Sequence, residues 1–268
     1  MTKHLVKYKK SRQYEGNLML TLLLGILIFM FSPASDSKDL NEKDKFVEAI
    51  KAIEPVVFCG TPRSHFQWGC VWIYPFGFSK KSGFAYTNIT TGNPAGDYWS
   101  FSIMDLVSDK GLDGDCYEEV GKDEKIPTLE NTGLVQFVKI NKEKIFKLLQ
   151  KHQITVSNTL KLKTFPIKWK DDELNVSYVK EGEKSSESYT PIKISIQLQS
   201  KKKGWKNIGK YDGLTDDKEC CDVLGYFQSP FEERIAVLIG TKWRDEGNLM
   251  GDFMVIGADL NKGFSKVK

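Results

Sequence analysis

One phrase is written twice in this chain, and it restricts the fold more than any other feature. Each copy opens on an apolar run with an internal alanine, FAYTNI (Phe84 to Ile89) and IAVLI (Ile235 to Ile239). A hexapeptide follows, GNPAGD (Gly92 to Asp97) and GNLMGD (Gly247 to Asp252), and then a second apolar run ending in Asp-Leu, WSFSIMDL and FMVIGADL. A Phe-containing run closed by a serine turn precedes each copy, YPFGFSKKSG and LGYFQSPFEER. Short runs rich in aromatic and β-branched residues, separated by Gly, Ser, Asn and Pro, are strands joined by turns. Each copy is therefore strand, tight turn, strand, longer loop, strand. More residues separate Ala236 from Gly247 than Ala85 from Gly92, so the second loop is expected to have grown. Gly and Asn tolerate positive φ and Asp bonds its own backbone, so the hexapeptides are expected to turn the chain back into a core strand. Ala85 and Ala236 should then be buried at equivalent positions.

The rest of the chain has the same texture. In IKISIQLQ, Ile192, Ile194, Ile196 and Leu198 alternate with Lys193, Ser195, Gln197 and Gln199, the pattern of a half-buried strand. Phe46, Val47, Ile50 and Ile53 recur at helical spacing before Pro55 and predict a short amphipathic helix. Ile140, Ile145, Leu148 and Leu149 lie near one helical face and predict a second helix, residues 141–151, with Asn141 as its N-cap. The polar, glycine-containing stretch from Asp109 to Pro127 reads as loop. The expected fold is mainly β (α+β): an antiparallel β-rich domain with two equivalent strand–turn–strand units and one helix inserted mid-chain. About ten strands are expected.

The net charge of +4 is concentrated at the start of the chain. Lys3, Lys7, Lys9, Lys10 and Arg12, against Glu15 alone, account for all of it, and the remainder is neutral. A neutral body has no long-range field for nucleic acid, and the Lys201–Lys202–Lys203 cluster beside Trp205 reads as a solvated hairpin turn. Basic residues, then LMLTLLLGILIFMF (Leu18 to Phe31), then Ser32-Pro33-Ala34 follow the plan of a secretory signal. The apolar run is shorter than the roughly 20 residues of a spanning helix. The expected organisation is a signal peptide or signal anchor over 1–34, a polar tether and short helix over 35–55, and a single β-rich extracytoplasmic domain over 56–268. Membrane contact is expected only through residues 18–31, and only if they are not cleaved.

The segments GFSKKSGFAYTNI…FSIMDLV, IFKLLQKHQI and ECCDVLGYFQSPFEERIAVLIG…FMVIGADL, in that order, resemble a family of bacterial predicted secreted proteins of unknown function. The resemblance spans most of residues 72–260. It implies export and one shared architecture, and it carries no catalytic residue. The phrase FSKKSGFAY also resembles the strand–turn–strand of a propeller blade, without the Pro and Asp common in that turn.

Export into an oxidising compartment favours disulfides among Cys59, Cys70, Cys116, Cys220 and Cys221. Cys59 is expected to pair with Cys70, and one of the adjacent Cys220 and Cys221 with Cys116. Cys59, His65 and Cys70 share one loop, but the spacing lacks the close ligand pairs of zinc sites, so no metal and no cofactor are expected. No nucleophile elbow, H-E-x-x-H or phosphate loop is present. The doubled hexapeptides supply the candidate ligand-binding residues: Asn93 and Asp97, then Asn248 and Asp252 with Asp245 and Trp243. Their oxygens suit calcium or a sugar, and they equally suit ordinary turn chemistry. The expected function is a non-enzymatic binding or interaction module of the cell envelope whose partner is an envelope protein, a glycan or a peptide. The alternative is an envelope hydrolase assembled around His65 and a cysteine.

Overall fold

Strand periodicity sorts the side chains of this protein into layers. A computed structural model describes residues 42–60, 69–90, 98–119, 131–181, 192–214, 218–245 and 248–265. The predicted signal and most of the tether lie outside the described residues. The first sheet runs β1 (Val56–Cys59), β2 (Cys70–Ser79), β3 (Gly83–Thr90), β4 (Tyr98–Asp105), β5 (Lys110–Glu119), with β6 (Ile154–Val156) also paired to β2. An outer sheet comprises β7 (Ile167–Trp169), β8 (Asp172–Glu181), β9 (Ile192–Ser200) and β10 (Gly204–Leu214). A central sheet comprises β11 (Lys218–Gln228), β12 (Arg234–Asp245) and β13 (Asn248–Asp259). All of these pairings are antiparallel. The helices are α1 (Glu42–Ile50), α2 (Asn131–Ile140) and α3 (Lys142–Lys151).

The unbroken apolar run of β12 places the central sheet between two cores. Ala236 and Leu238 pack with Val71, Ile73, Phe78 and Phe84 of the first sheet. Ile235, Val237 and Ile239, on the opposite face, pack with Leu174, Val176, Ile194, Ile196 and Leu198 of the outer sheet. The other face of the first sheet, with Tyr74, Phe76, Ala85, Trp99 and Phe101, packs against Phe46, Val47 and Ile50 of α1, Leu134 and Phe137 of α2, and Ile145 of α3. The order of layers is helices, first sheet, central sheet, outer sheet. Trp99 stacks between Tyr74 and Phe137, at ring separations of 5.7 and 5.5 Å. Burying rings of this size stabilises the fold by roughly 1.5–3 kcal/mol each. The amphipathic helix α1 therefore belongs to the packed body.

The repeat is real at one end of the strands. In the first copy Gly83 pairs with Asp105 and Ala85 with Ile103; in the second Arg234 pairs with Asp259 and Ala236 with Gly257. Both alanines are fully buried. The Leu106 N–H donates to Ser82 O at 2.9 Å, and the equivalent Leu260 N–H donates to Glu233 O at 2.8 Å. Each Asp-Leu aspartate then accepts from the N–H two residues on: Asp105 from Val107 at 3.1 Å, Asp259 from Asn261 at 2.8 Å. The preceding turns match too. Buried Ser79 Oγ accepts from Lys81 N–H at 3.1 Å and Gly83 N–H at 2.8 Å, and buried Ser229 Oγ accepts from Phe231 N–H at 3.2 Å. A third serine does the same in the outer sheet, where Ser200 Oγ accepts from Lys202 and Lys203 N–H at 3.2 and 2.7 Å. The text of that turn, SKKKG, is close to the SKKSG that follows Phe78.

The other end departs from expectation. GNLMGD does not form a long loop: β12 and β13 continue in register until Asp245 pairs with Asn248. The extra residues lengthened strands, because backbone pairing satisfies their amides. The registers place Thr90 opposite Tyr98 and Thr241 opposite Asp252, so Asp252 corresponds to Tyr98 and the two Gly-Asp pairs are one residue out of step. Gly251 has no positive φ; its lack of a Cβ is needed because one would stand 2.9 Å from Phe58 O. Gly96 lies outside the described residues.

Three further differences have local causes. The single mid-chain helix is a consecutive pair, α2 and α3, because Leu134, Phe137 and Val138 find a core face. Ile140 proves exposed, at the end of α2. Asn141 sits at their junction and donates its side-chain amide to Phe137 O at 3.2 Å instead of capping α3. The stretch expected as loop after Asp109 contains edge strand β5, held by backbone pairing to β4 without apolar alternation.

Candidate functional site

Contacts between sheets fix which turns lie at which end. Gly251 N–H donates to Gly69 O at 2.7 Å, so the tip of the β12–β13 hairpin meets the start of β2. Gly257 N–H donates to Asp109 Oδ1 at 2.6 Å, and Lys203 Nζ to Leu260 O at 3.2 Å, so the turns after β4, β9 and β13 gather at the opposite end.

At the hairpin-tip end, Cys59 and Cys70 face each other across β1 and β2 and form a disulfide. Cys221 is disulfide-bonded as well, while the side chains of Cys116 and Cys220 lie outside the described residues. His65 also lies outside them. Of the candidate ligand-binding residues, Asn93 and Asp97 lie outside the described residues, as do the side chains of Asp245 and Asn248. Trp243 is not in a loop; it is half-buried on β12 opposite Met250. Asp252 is exposed, and its Oδ1 accepts from the adjacent Phe253 N–H at 2.7 Å, which is turn-type chemistry within a strand. Backbone register brings Asp245 opposite Asn248 but leaves Asp252 opposite Thr241, farther along the hairpin.

The serine-turn end is rich in charge, and that charge is spent on the fold. Glu232 accepts from Ser82 N–H at 2.6 Å and lies 3.6 Å from the Arg234 guanidinium. Arg234 also donates to Leu106 O at 3.2 Å and lies 3.5 Å from Asp259. Burial pushes the Asp105 carboxyl upward, but hydrogen bonds from Ser82, Ser108 and Val107 outweigh it and hold the group below the usual carboxylate range. Asp259 is likewise held low: bonds from Asn261 and Lys262 and the charges of Arg234 and Lys206 outweigh burial. Burial raises Asp109, opposed in part by the Gly257 N–H. Burial pulls the Lys206 ammonium down to about 8. Lys206 donates to Asp259 O and, at 2.7 Å, to Lys262 O, with Phe264 beneath it at 4.7 Å. A groove of about 560 Å³ beside this end is lined by Lys163, Trp169, Phe231, Glu232 and Glu233 among others. Its acids are engaged, Glu232 as above and Glu233 with Lys170 at 2.9 Å. Among the described residues no group of His, Cys, Asp and Glu gathers as metal ligands would, and no helix is long and apolar enough to cross a membrane.

A third surface is different in kind. Val176, Leu198, Lys206 and Ile208 are buried, while Asn175, Gln199, Trp205 and Asn207 between them are exposed and form an open face of the outer sheet; Ser195, one row farther along that face, is buried. Register places Asn175, Gln199 and Trp205 in one row and Ser177, Gln197 and Asn207 in the next. Gln199 Nε2 donates to Ser177 Oγ at 2.8 Å and couples the rows. Trp205 is 44% exposed. The alternation in β9 already marked Gln197 and Gln199 as outward, but only the pairing shows which side chains join them. No known protein family, no characterised protein and no solved structure matches this chain.

Proposed function

We propose that this chain is an exported protein of the cell envelope that works by binding and not by catalysis. The observation that carries the reading is the Cys59–Cys70 disulfide. Cysteine catalysis requires a free thiolate beside a base. A hydrolase built on His65 and a neighbouring loop cysteine has lost that nucleophile to the bridge. The disulfide also suits an oxidising compartment, which agrees with the basic, apolar, small-residue order of residues 1–34. The partner class is an envelope protein, a glycan or a peptide. The body is secreted or periplasmic, or stays tethered outside the cytoplasm through residues 18–31 if these are retained.

The test is expression of the full chain in a bacterium, followed by fractionation, N-terminal sequencing and alkylation without reductant. The expected result is protein outside the cytoplasm, a new N-terminus near Ser35, and Cys59, Cys70 and Cys221 protected. Full-length chain in the membrane with its body outside would select the anchored form. Cytosolic protein retaining Met1 with all five cysteines alkylated would overturn the reading.

A further inference from the structure

We infer that the open face of the outer sheet is a binding platform for a neutral oligosaccharide; this deepens the binding-module reading and rests on it. Asn175, Gln199 and Trp205, with Ser177, Gln197 and Asn207, form two adjacent rows across three strands. With strands about 4.8 Å apart and alternate residues about 6.8 Å apart, the six side chains tile a flat patch roughly 10 Å by 7 Å.

The chemistry of the patch selects the occupant. In a chain that is 28% charged, all six positions are neutral. Four are primary amides, a group with two donor hydrogens and an acceptor oxygen that has two lone pairs; Asn175 Oδ1 already accepts from Val176 N–H at 3.0 Å and Gln199 Nε2 donates to Ser177, and each keeps further capacity. Vicinal hydroxyls of a sugar also donate and accept, so an amide can bond two neighbouring hydroxyls at once. The exposed indole of Trp205 supplies an apolar plane for the C–H face of a pyranose ring. A patch without charge discriminates against phosphate, nucleic acid and acidic peptides, and its hydrogen-bonding density exceeds what an apolar protein partner would match.

Local sequence preference argues that this face is more than a solvated surface. Asn is depleted in strands. Asn175 nevertheless sits inside β8 and Asn207 inside β10, with Trp205 displayed to water beside them. Choices that break a local rule without a packing gain are expected at functional positions. Glu173 on the flank is paired with Lys201 at 2.8 Å, and Lys193 and Lys210 stand farther along β9 and β10.

The experiment is calorimetric titration of the folded chain with neutral hexasaccharides (gluco-, manno- and chito-oligosaccharides), with polygalacturonate as an anionic arm. One neutral class is expected to bind. Trp205→Ala should weaken it by about tenfold or more, the size of one good aromatic anchor. Gln197→Ala and Asn207→Ala should each weaken it severalfold. Trp243→Phe, at the hairpin tip, should leave affinity unchanged. Thermal melting of each variant separates lost binding from lost fold.

Absence of any neutral ligand at millimolar concentration, or binding that survives Trp205→Ala, would overturn the inference. So would salt-sensitive binding confined to the anionic arm. Concentration-dependent dimers abolished by Trp205→Ala would reassign the face to a second copy of the chain. An exported, disulfide-bonded protein that binds no glycan would fail this inference alone; a reduced cytosolic protein would fail the binding-module reading itself.

Discussion

At one end of the sheets the chain reverses within a few residues, and each principal reversal is held by a named side chain: Ser79, Ser200 and Ser229 in the turns, Asp105 and Asp259 after the strands. At the other end the first sheet and the central hairpin meet through glycines. Gly60 and Gly69 lie against Leu249 and Met250, and Gly251 lies against Phe58. The Cys59–Cys70 bridge is found at this second end. The two copies of the repeated phrase agree at the serine-turn end, where each donates a hydrogen bond to the other, and are one residue out of step at the hairpin-tip end. Arg234 of the second copy donates to Leu106 of the first, and Ser82 of the first donates to Glu232 of the second.

The strongest way to break this comparison is Gly257→Val. A Cβ at Gly257 would stand 1.9 Å from Leu106 O, a backbone atom that cannot swing away. The expected cost is about 3 kcal/mol or more, measured by denaturant melting. Gly111→Ala, on the edge strand with nothing within 4 Å of its Cβ, should cost under about 1 kcal/mol and serves as the control. Next, replacing Cys59 and Cys70 together by Ala opens a bridge of sequence separation 11 and should cost about 3 kcal/mol. Hydrogen exchange should show the added opening at the hairpin-tip end, with the serine turns still protected. Equal loss of protection at both ends would dissolve the distinction between them.

The third prediction concerns pH. Lys206 is lowered from 10.5 to about 8 in the fold. The unfolded chain therefore binds more protons between those values, and stability rises with pH across that window. The relief across that window is on the order of 3 kcal/mol. Comparing melts of the wild type with Lys206→Met should show a rising difference from pH 8 to 10.5 and a flat one below it. The smallest effects are expected from Ser79→Ala, which unpairs two turn amides, and Ser200→Ala, which unpairs the Lys203 N–H and removes a hydroxyl donor from Asp172, about 1–2 kcal/mol each. Ser229→Ala, which frees the Phe231 amide, should cost less.

Much of the fold was legible because burial and period coincide. Ile194, Ile196 and Leu198 alternate with polar residues and define a strand with one wet face; IAVLI does not alternate and proves buried on both. Ala85 and Ala236 were legible as equivalents because the strands around them share a register. Helix α2 was not legible. Thr132, Gly133, Val135 and Val138 are weak helix formers, and its helicity comes from the core it meets. Strand β5 carries no apolar rhythm because its order comes from the backbone of β4. Exposure of Trp205 and half-burial of Trp243 were hidden for a related reason: both lie on strands, and only the layer beyond each strand decides how far each indole meets water.

The layer order has a consequence for how such a chain is made. The central sheet separates the first sheet from the outer one, yet it is the last of the three in sequence, residues 218–259. A polypeptide emerging N-terminus first displays Val71, Ile73, Phe78 and Phe84, and then Ile194, Ile196 and Leu198, before the strands that cover them exist. Vectorial synthesis thus imposes a waiting period with two uncovered apolar faces, the condition under which chains aggregate or recruit a holdase. Release is decided by residues 218–259. A chain ending near residue 217 would have both slices of the sandwich and no filling, and it should be cleared as a misfolded product although most of its sequence is intact.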